Sequence, residues 1–134
     1  MKSVCKAAKR VLDRLAHGLN APGDSTRIDN APGTYMALCV ERIGESKLGP
    51  IFSLAHYHEQ NGDLVCDPDV TILRGADGEW YPLTFEQGGV AYRRSAEIAA
   101  DGSVRVNRRS QRDLVQFVNV WMRNIREQQG LDVP

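Results

Sequence analysis

The spacing of apolar residues near the N-terminus predicts an amphipathic helix. These residues recur every three or four positions, while most of the neighbouring lysines and arginines fall on other faces. That spacing is typical of a surface helix with one buried side. Ser3 is the expected N-cap, and Gly18 together with residues 20–23 is expected to end the helix. The buried stripe comprises Val4, Ala8, Val11, Leu12, Leu15 and Leu19.

The most regular apolar spacing in the chain lies near the C-terminus and predicts a second amphipathic helix. Ser110 is the expected N-cap, with Asp113 three residues later in an arrangement that resembles a capping box. Gly130 is expected to end the helix at the C′ position. The apolar stripe comprises Leu114, Phe117, Val118, Trp121 and Ile125.

The middle of the chain predicts β-strands separated by short turns. Residues 34–43 are mostly apolar and indicate an inner strand buried on both faces, whereas 22–33 is rich in Gly, Pro, Asp and Asn and predicts a loop. Two strands at 50–60 and 63–75 are followed by further strands at 79–86, 90–98 and 103–106, with connections at 44–49, 76–78, 88–89 and 101–102.

This order of elements predicts an α+β fold. We expect an antiparallel meander of about five strands, flanked by an N-terminal and a C-terminal helix. With 134 residues, 42% of them hydrophobic and 25% charged, the chain fits one globular domain over 1–134. Trp80 and Phe85 are expected to be core or interface aromatics.

The turn at Asn61-Gly62 is the strongest local signal, because both central residues of a type I′ hairpin turn need a positive φ. Regular pairing on either side of it places Tyr57 opposite Cys66 and His56 opposite Asp67. Pro68 cannot donate a ladder hydrogen bond and indicates an edge position or a bulge, which would shift the facing by one residue. Regular pairing also places Ala55 opposite Pro68 and Ser53 opposite Val70.

The zero net charge conceals a segmental pattern. Residues 1–20 carry a net charge of +4, residues 21–92 a net charge of −7, and residues 93–134 a net charge of +3. Internal complementarity between basic helices and an acidic sheet is the favoured interpretation, and a polyanion-binding surface is the alternative.

The three cysteines, Cys5, Cys39 and Cys66, are widely spaced and form no C-x-x-C pair. We therefore expect reduced, mostly buried thiols rather than a disulfide framework or a structural zinc site. No apolar run approaches the ~20 residues of a spanning helix, and the basic N-terminus lacks a continuous apolar signal region. These features predict a cytoplasmic protein with no membrane partner.

The central hairpin concentrates the side chains that could do chemistry. One hypothesis is a metal or acid/base site built from His56, His58, Asp67 and Asp69. The favoured alternative is a solvated acidic turn beside one hydrogen-bonded histidine. No nucleophile elbow, phosphate-binding glycine loop or H-E-x-x-H helix is present, so a non-enzymatic role is favoured, an enzyme centred on the hairpin is the alternative, and no cofactor is expected. The full candidate set is His56, Tyr57, His58, Glu59, Asn61, Asp63, Asp67 and Asp69.

Six arginines near the last strands and the start of the C-terminal helix suggest a second candidate surface, for nucleic acid. If they converge they could contact phosphates, whereas solvated arginines near the acidic middle are the favoured alternative. They are Arg93, Arg94, Arg105, Arg108, Arg109 and Arg112.

Three strings of residues (RIDNAPGTYMALCVERIG, HYHEQNGDLVCDPD and VWMRNIREQQGL) together resemble an uncharacterised family carried by bacterial plasmids, integrative elements and phages. The resemblance covers about Arg27 to Leu131, and its central motif is HYxEQNGDL followed by DP. The family often has Glu-Met after that motif, whereas this chain has Asp69-Val70. The resemblance implies a mobile-element accessory protein, and by analogy such proteins often bind a host enzyme or defence complex.

Overall fold

The chain folds into two helices and eight strands in the computed structural model, which describes residues 1–133. Strands β1 to β6 form an antiparallel sheet in sequential order, and β7 and β8 form a separate hairpin. The elements are α1 (Lys6–Ala16), β1 (Ser25–Ile28), β2 (Leu38–Ser46), β3 (Gly49–Gln60), β4 (Asp63–Arg74), β5 (Trp80–Gln87), β6 (Ala91–Arg94), β7 (Ala96–Ile98), β8 (Val104–Val106) and α2 (Arg108–Gln128).

The predicted α+β class, the meander and the two terminal helices are confirmed, but the predicted count of about five strands is wrong. The main sheet has six strands, because β1 lies inside the segment predicted to be a loop and pairs with β2. The strand predicted over 90–98 is divided at Ser95, whose N–H donates to Leu83 O at 2.8 Å and whose carbonyl accepts from Asn107 N at 2.9 Å. These two bonds mark the point where the chain leaves the main sheet.

The second strand differs from the prediction in position and in burial. It covers Leu38–Ser46 rather than 34–43, and it is buried on one side only, with Leu38 and Val40 inside and Glu41 exposed. The predicted loop over 44–49 is shorter, since β3 begins at Gly49. Gly49 has a φ of 141°, and a Cβ there would lie 2.1 Å from the carbonyl oxygen of Arg74. Only glycine fits this position without displacing β4.

Both helices cover one face of the main sheet and form the principal core with it. Phe52 and Trp80 are fully buried there, with ring centroids 5.2 Å apart, which confirms Trp80 as a core aromatic. The indole N–H of Trp80 donates to Asp13 Oδ1 at 2.8 Å and so links the sheet to α1. A smaller cluster around Leu73 and Leu83 lies under the β7–β8 hairpin, which covers one end of the opposite face.

The helix caps differ from the predicted ones. Cys5, not Ser3, is the N-cap of α1, and it makes no side-chain cap hydrogen bond. Asn107, not Ser110, is the N-cap of α2, and its side chain accepts from Ser110 N at 3.0 Å. Ser110 lies in the first turn of the helix, where its hydroxyl is bonded to the hydroxyl of Ser95. The predicted helix stops are confirmed, with positive φ at Gly18 and Gly130.

Candidate functional site

The central hairpin extends past its neighbours in the sheet. Asn61 and Gly62 have φ values of 54° and 83°, as the predicted type I′ turn requires. Strands β3 and β4 each have twelve residues, but pairing with β2 ends at Ala55 and pairing with β5 ends at Asp69. Residues 57–66 therefore continue beyond these strands as a two-stranded ribbon, which we call the hairpin arm. At its base the N–H of Gly88, just after β5, still donates to Cys66 O at 2.8 Å.

A β-bulge at the base of the arm changes the predicted facing. Tyr57 lies opposite Cys66 as predicted, but Ala55 lies opposite Asp69, and Ser53 lies opposite Thr71 rather than Val70. Asp67 and Pro68 together oppose the single residue His56, so the bulge indicated by Pro68 is present. The predicted pairs Ala55–Pro68 and Ser53–Val70 are therefore wrong, and His56 faces the two-residue bulge instead of pairing with Asp67 alone. The bulge places Asp69 on the face of Ser53, away from His56.

His56 is a buried histidine whose ring nitrogens are both occupied. It is 6% exposed, and its Nδ1 lies 2.9 Å from Ala37 O. The indole N–H of Trp121 donates to its Nε2 at 3.2 Å, and because an indole can only donate, Nε2 must accept. Nδ1 therefore carries the proton and donates to Ala37 O. No lone pair of this imidazole is available for a metal or for a substrate proton.

The remaining members of the predicted metal or acid/base set are divided between the two faces. His58 Nδ1 lies 3.9 Å from Asp67 Oδ2, beyond hydrogen-bond distance, and Asp67 Oδ1 accepts from Gln87 Nε2 at 2.8 Å. On the other face, Asp69 Oδ1 accepts from Ser53 Oγ at 2.7 Å. Within residues 1–133 no group of three His, Cys, Asp or Glu residues is arranged to hold a metal ion.

The face of the main sheet that points away from the helices, which we call the outer face, is polar. The strand register aligns its side chains in rows that cross all six strands. On the hairpin arm, alternation continues this face through Tyr57, Glu59, Leu64 and Cys66. One row contains Arg27, Cys39, Ala55, Asp69, Glu86 and Tyr92, and the next contains Ser25, Glu41, Ser53, Thr71, Thr84 and Arg94.

Negative charge predominates in the centre of the outer face. The arginines at its two edges have local partners, since Arg27 pairs with Asp29 at 3.2 Å and Arg94 pairs with Glu97 at 3.4 Å. Four carboxylates between those edges form no ion pair within residues 1–133. They are Glu41, Glu59, Asp69 and Glu86.

Two weak acids on the outer face respond to this charge. Burial raises the pKa of the Tyr57 phenol, and the neighbouring Asp69 carboxylate raises it further. Burial likewise raises the pKa of the Cys66 thiol, with additional contributions from Glu86 and Asp69. In both groups the nearby carboxylates disfavour the anion, so the electrostatic potential here is negative.

We expect Glu86→Gln to shift the alkylation of Cys66 to lower pH. Removing this carboxylate removes a charge that raises the pKa of the thiol, so more reactive thiolate forms at a given pH. The measurement is the rate of iodoacetamide labelling of the Cys66 peptide from pH 7 to pH 10, followed by mass spectrometry. Glu127→Gln, on α2, is the control and leaves the profile unchanged. An unchanged profile in Glu86→Gln would contradict the assignment of charge to this face.

The six arginines of the nucleic-acid hypothesis lie on several surfaces. Arg93 lines a cleft of about 520 Å³ between β6 and α2, whereas Arg94 lies on the outer face. Arg105 pairs in register with Glu97 on β7, and Arg109 is exposed on α2. Arg108 and Arg112 line one cleft with Lys2 at the start of α2. Within residues 1–133 the six arginines therefore do not form one continuous basic surface.

The predicted burial of the thiols is wrong, and the predicted internal complementarity does not take the form of direct ion pairs. All five ion pairs within residues 1–133 join partners from the same segment, so none links the basic ends to the acidic middle. All three cysteines are unpaired, but Cys5 is exposed and Cys39 and Cys66 are half-buried. Cys39 and Cys66 occupy outer-face positions of their strands, and for this reason they are not in the core.

Sequence reasoning missed the outer-face residues Glu41, Ser53 and Glu86. The signal for Glu41 and Glu86 was the alternation of apolar and polar residues in β2 and β5, with Val40 and Phe85 on the opposite side. Glu41 and Glu86 lie near Asp69 because of the strand register. The sequence did not predict that register on the far side of the β-bulge at Asp67 and Pro68.

A family model described as a domain of unknown function, DUF6908, matches residues 6–131. The chain belongs to the DUF6908 family. The matched region includes both helices and all eight described strands, so the outer face and the hairpin arm lie within the DUF6908 domain. No curated protein and no solved structure matches the chain. In the described part of the chain, neither helix combines the length and hydropathy that crossing a bilayer requires.

Proposed function

We propose that this DUF6908 protein is a non-enzymatic binding protein that contacts a protein partner through its hairpin arm. The observation that carries the proposal is the projection of residues 57–66 beyond β2 and β5. Leu64 in this arm is 69% exposed, and Glu59 and Asp63 are exposed beside it. These side chains, near the end of a projecting ribbon, are accessible to another macromolecule.

The backbone of the arm supports the same proposal. Residues 57–60 of β3 have no neighbouring strand on the β2 side within the described chain. Free edges of this kind can pair with an extended segment of another protein. A two-stranded ribbon has little apolar burial of its own, so contact with a partner would also stabilise it.

The geometry of the histidines favours binding over catalysis. A general base needs a free lone pair within reach of a substrate proton, and both ring nitrogens of His56 are occupied. His58 and Asp67 lie together, but Asp69 is on the opposite face with Ser53. The four-residue acid/base or metal arrangement is therefore not assembled in this fold.

We also propose that the protein is a cytoplasmic accessory of a mobile genetic element and that its partner belongs to the host, with defence complexes as one class. The support for this origin is the resemblance of the hairpin motif HYxEQNGDL followed by DP. That motif forms most of the hairpin arm and its base, which makes the arm the segment where the resemblance and the exposed surface coincide.

The test is site-specific photo-crosslinking in bacterial host cells. Benzoylphenylalanine replaces Leu64 in the arm, and in a matched control it replaces Val120, which is 48% exposed on α2. We expect a discrete crosslinked product from the Leu64 position and none from Val120, because the arm is at the interface and α2 is not. No product from Leu64, or the same products from both positions, would contradict the proposed function.

A further inference from the structure

We infer that the outer face and the hairpin arm together dock a lysine- and arginine-rich segment of the protein partner. This inference rests on the proposed function and specifies the chemistry of the partner. It follows from the placement of charge, exposed aromatic groups and uncovered strands on one side of the sheet.

The charge on this face is complementary to a basic segment. The four carboxylates at positions 41, 59, 69 and 86 form no ion pair within residues 1–133, whereas Arg27 and Arg94 at the edges are paired locally. A cationic segment would supply the missing partners, and a polyanion such as nucleic acid would be repelled. Complementary potentials of this kind accelerate association and select the partner.

The spacing of the carboxylates suits a segment lying across the strands. Glu41 on β2 and Glu86 on β5 are three strands apart, about 14 Å across the strands at the usual separation. They lie in adjacent rows, which adds an offset of about 7 Å along the strands. Asp69 lies between them on β4, directly beside Glu86 in the register. A segment with several cations can therefore contact carboxylates on at least three strands at once.

Exposed side chains beside the carboxylates provide further contacts. Tyr57 is 37% exposed and Tyr92 is 59% exposed, and a tyrosine ring attracts the guanidinium or ammonium group of a basic side chain. Leu64 on the arm adds an apolar contact for the aliphatic part of such a side chain.

The region available to the partner has a defined limit. The β7–β8 hairpin packs over Leu73 and Leu83, which closes that end of the outer face. Glu41, Glu86 and most residues of the hairpin arm remain exposed. The uncovered region thus extends from the two central rows to the tip of the arm.

The experiment uses the full chain and a fluorescein-labelled twelve-residue peptide of alternating lysine, arginine and alanine. An equally long peptide with glutamate in place of the basic residues is the probe control. Fluorescence anisotropy gives Kd at low and high salt. The double variant Glu41→Gln/Glu86→Gln is compared with the control Glu127→Gln/Asp132→Asn. Each variant removes two negative charges, and all four substituted residues are exposed.

We expect the outer-face double variant to weaken binding of the basic peptide by about five- to tenfold at low salt, since each exposed charge pair contributes modestly. The control double variant changes Kd by less than about twofold on the same basis. Bound peptide also slows iodoacetamide labelling of Cys66 but not of Cys5, which is exposed at the start of α1.

Three results would overturn the inference: no binding of the basic peptide, equal weakening by both double variants, or equal protection of Cys5 and Cys66. A crosslink from position 64 together with any of these results would leave the proposed function standing and remove only the docking of a basic segment on the outer face. Absence of that crosslink overturns the proposed function itself.

Discussion

His56→Ala is expected to lower the free energy of unfolding by about 2–4 kcal/mol, because it leaves a cavity and removes the partners of a buried indole N–H and a part-buried carbonyl oxygen. The imidazole of His56 joins Ala37 O to the indole N–H of Trp121, with its ring 5.6 Å from the indole ring. Its removal therefore affects both the sheet and α2. The measurement is urea-induced unfolding followed by circular dichroism.

The matched control is His58→Ala, two residues further along the same strand and on the same face. His58 is half-exposed and has only a 3.9 Å approach to Asp67, so the expected loss is below about 0.5 kcal/mol. Similar losses in the two variants, or a neutral His56→Ala, would show that His56 does not have the structural role assigned to it.

Trp80→Ala is expected to lower the free energy of unfolding by about 3–5 kcal/mol, the range for deleting a buried aromatic side chain. Trp80 is fully buried against Phe52, and its indole N–H donates to Asp13 on α1. Trp80→Phe retains much of the packing but loses the hydrogen bond to Asp13. Because Asp13 is partly exposed to water, the expected decrease in the free energy of unfolding is only about 1–2 kcal/mol. Urea unfolding of both variants gives the comparison.

We expect Trp80→Ala to be less stable than Trp80→Phe, because aromatic burial contributes more to stability than the hydrogen bond to Asp13 does. If Trp80→Ala cost no more than Trp80→Phe, the hydrogen bond to Asp13 rather than aromatic burial would hold α1 on the sheet. A loss below about 1 kcal/mol in both variants would contradict the placement of Trp80 in the principal core.

The elements predicted correctly are those whose conformation is determined by residues close together in the sequence. The spacing of Val118, Trp121 and Ile125 needs only helical geometry to indicate a buried stripe, and these residues are buried. Asn61-Gly62 specifies its turn through backbone conformation alone, and both residues have the required positive φ. Phe117 belongs to the same predicted stripe but is 38% exposed, because it lies at the rim beside Phe85.

The elements missed by the sequence depend on tertiary contacts. Strand β1 has four residues and lies between turn-forming segments, so only its pairing with β2 makes it a strand. The division of 90–98 at Ser95 depends on hydrogen bonds to Leu83 and Asn107, which are distant along the chain. Local propensity contains no information about either.

The candidate site was predictable in its location but not in its geometry. The arm was found from the residues around Asn61, yet the role of His56 depends on Trp121, which lies 65 residues further along the chain. One extra residue in the bulge then moved Asp69 to the other face. Residue types showed where polar groups are concentrated, and only the register showed which of them share a face.

The most direct test of a functional outer face is photo-crosslinking from position 64 in two charge-matched backgrounds. Glu41→Gln/Glu86→Gln alters the outer face, and Glu127→Gln/Asp132→Asn alters exposed positions elsewhere. Our account predicts that the crosslink to the partner is largely lost in the first background and persists in the second. Equal crosslinking in both backgrounds would contradict it.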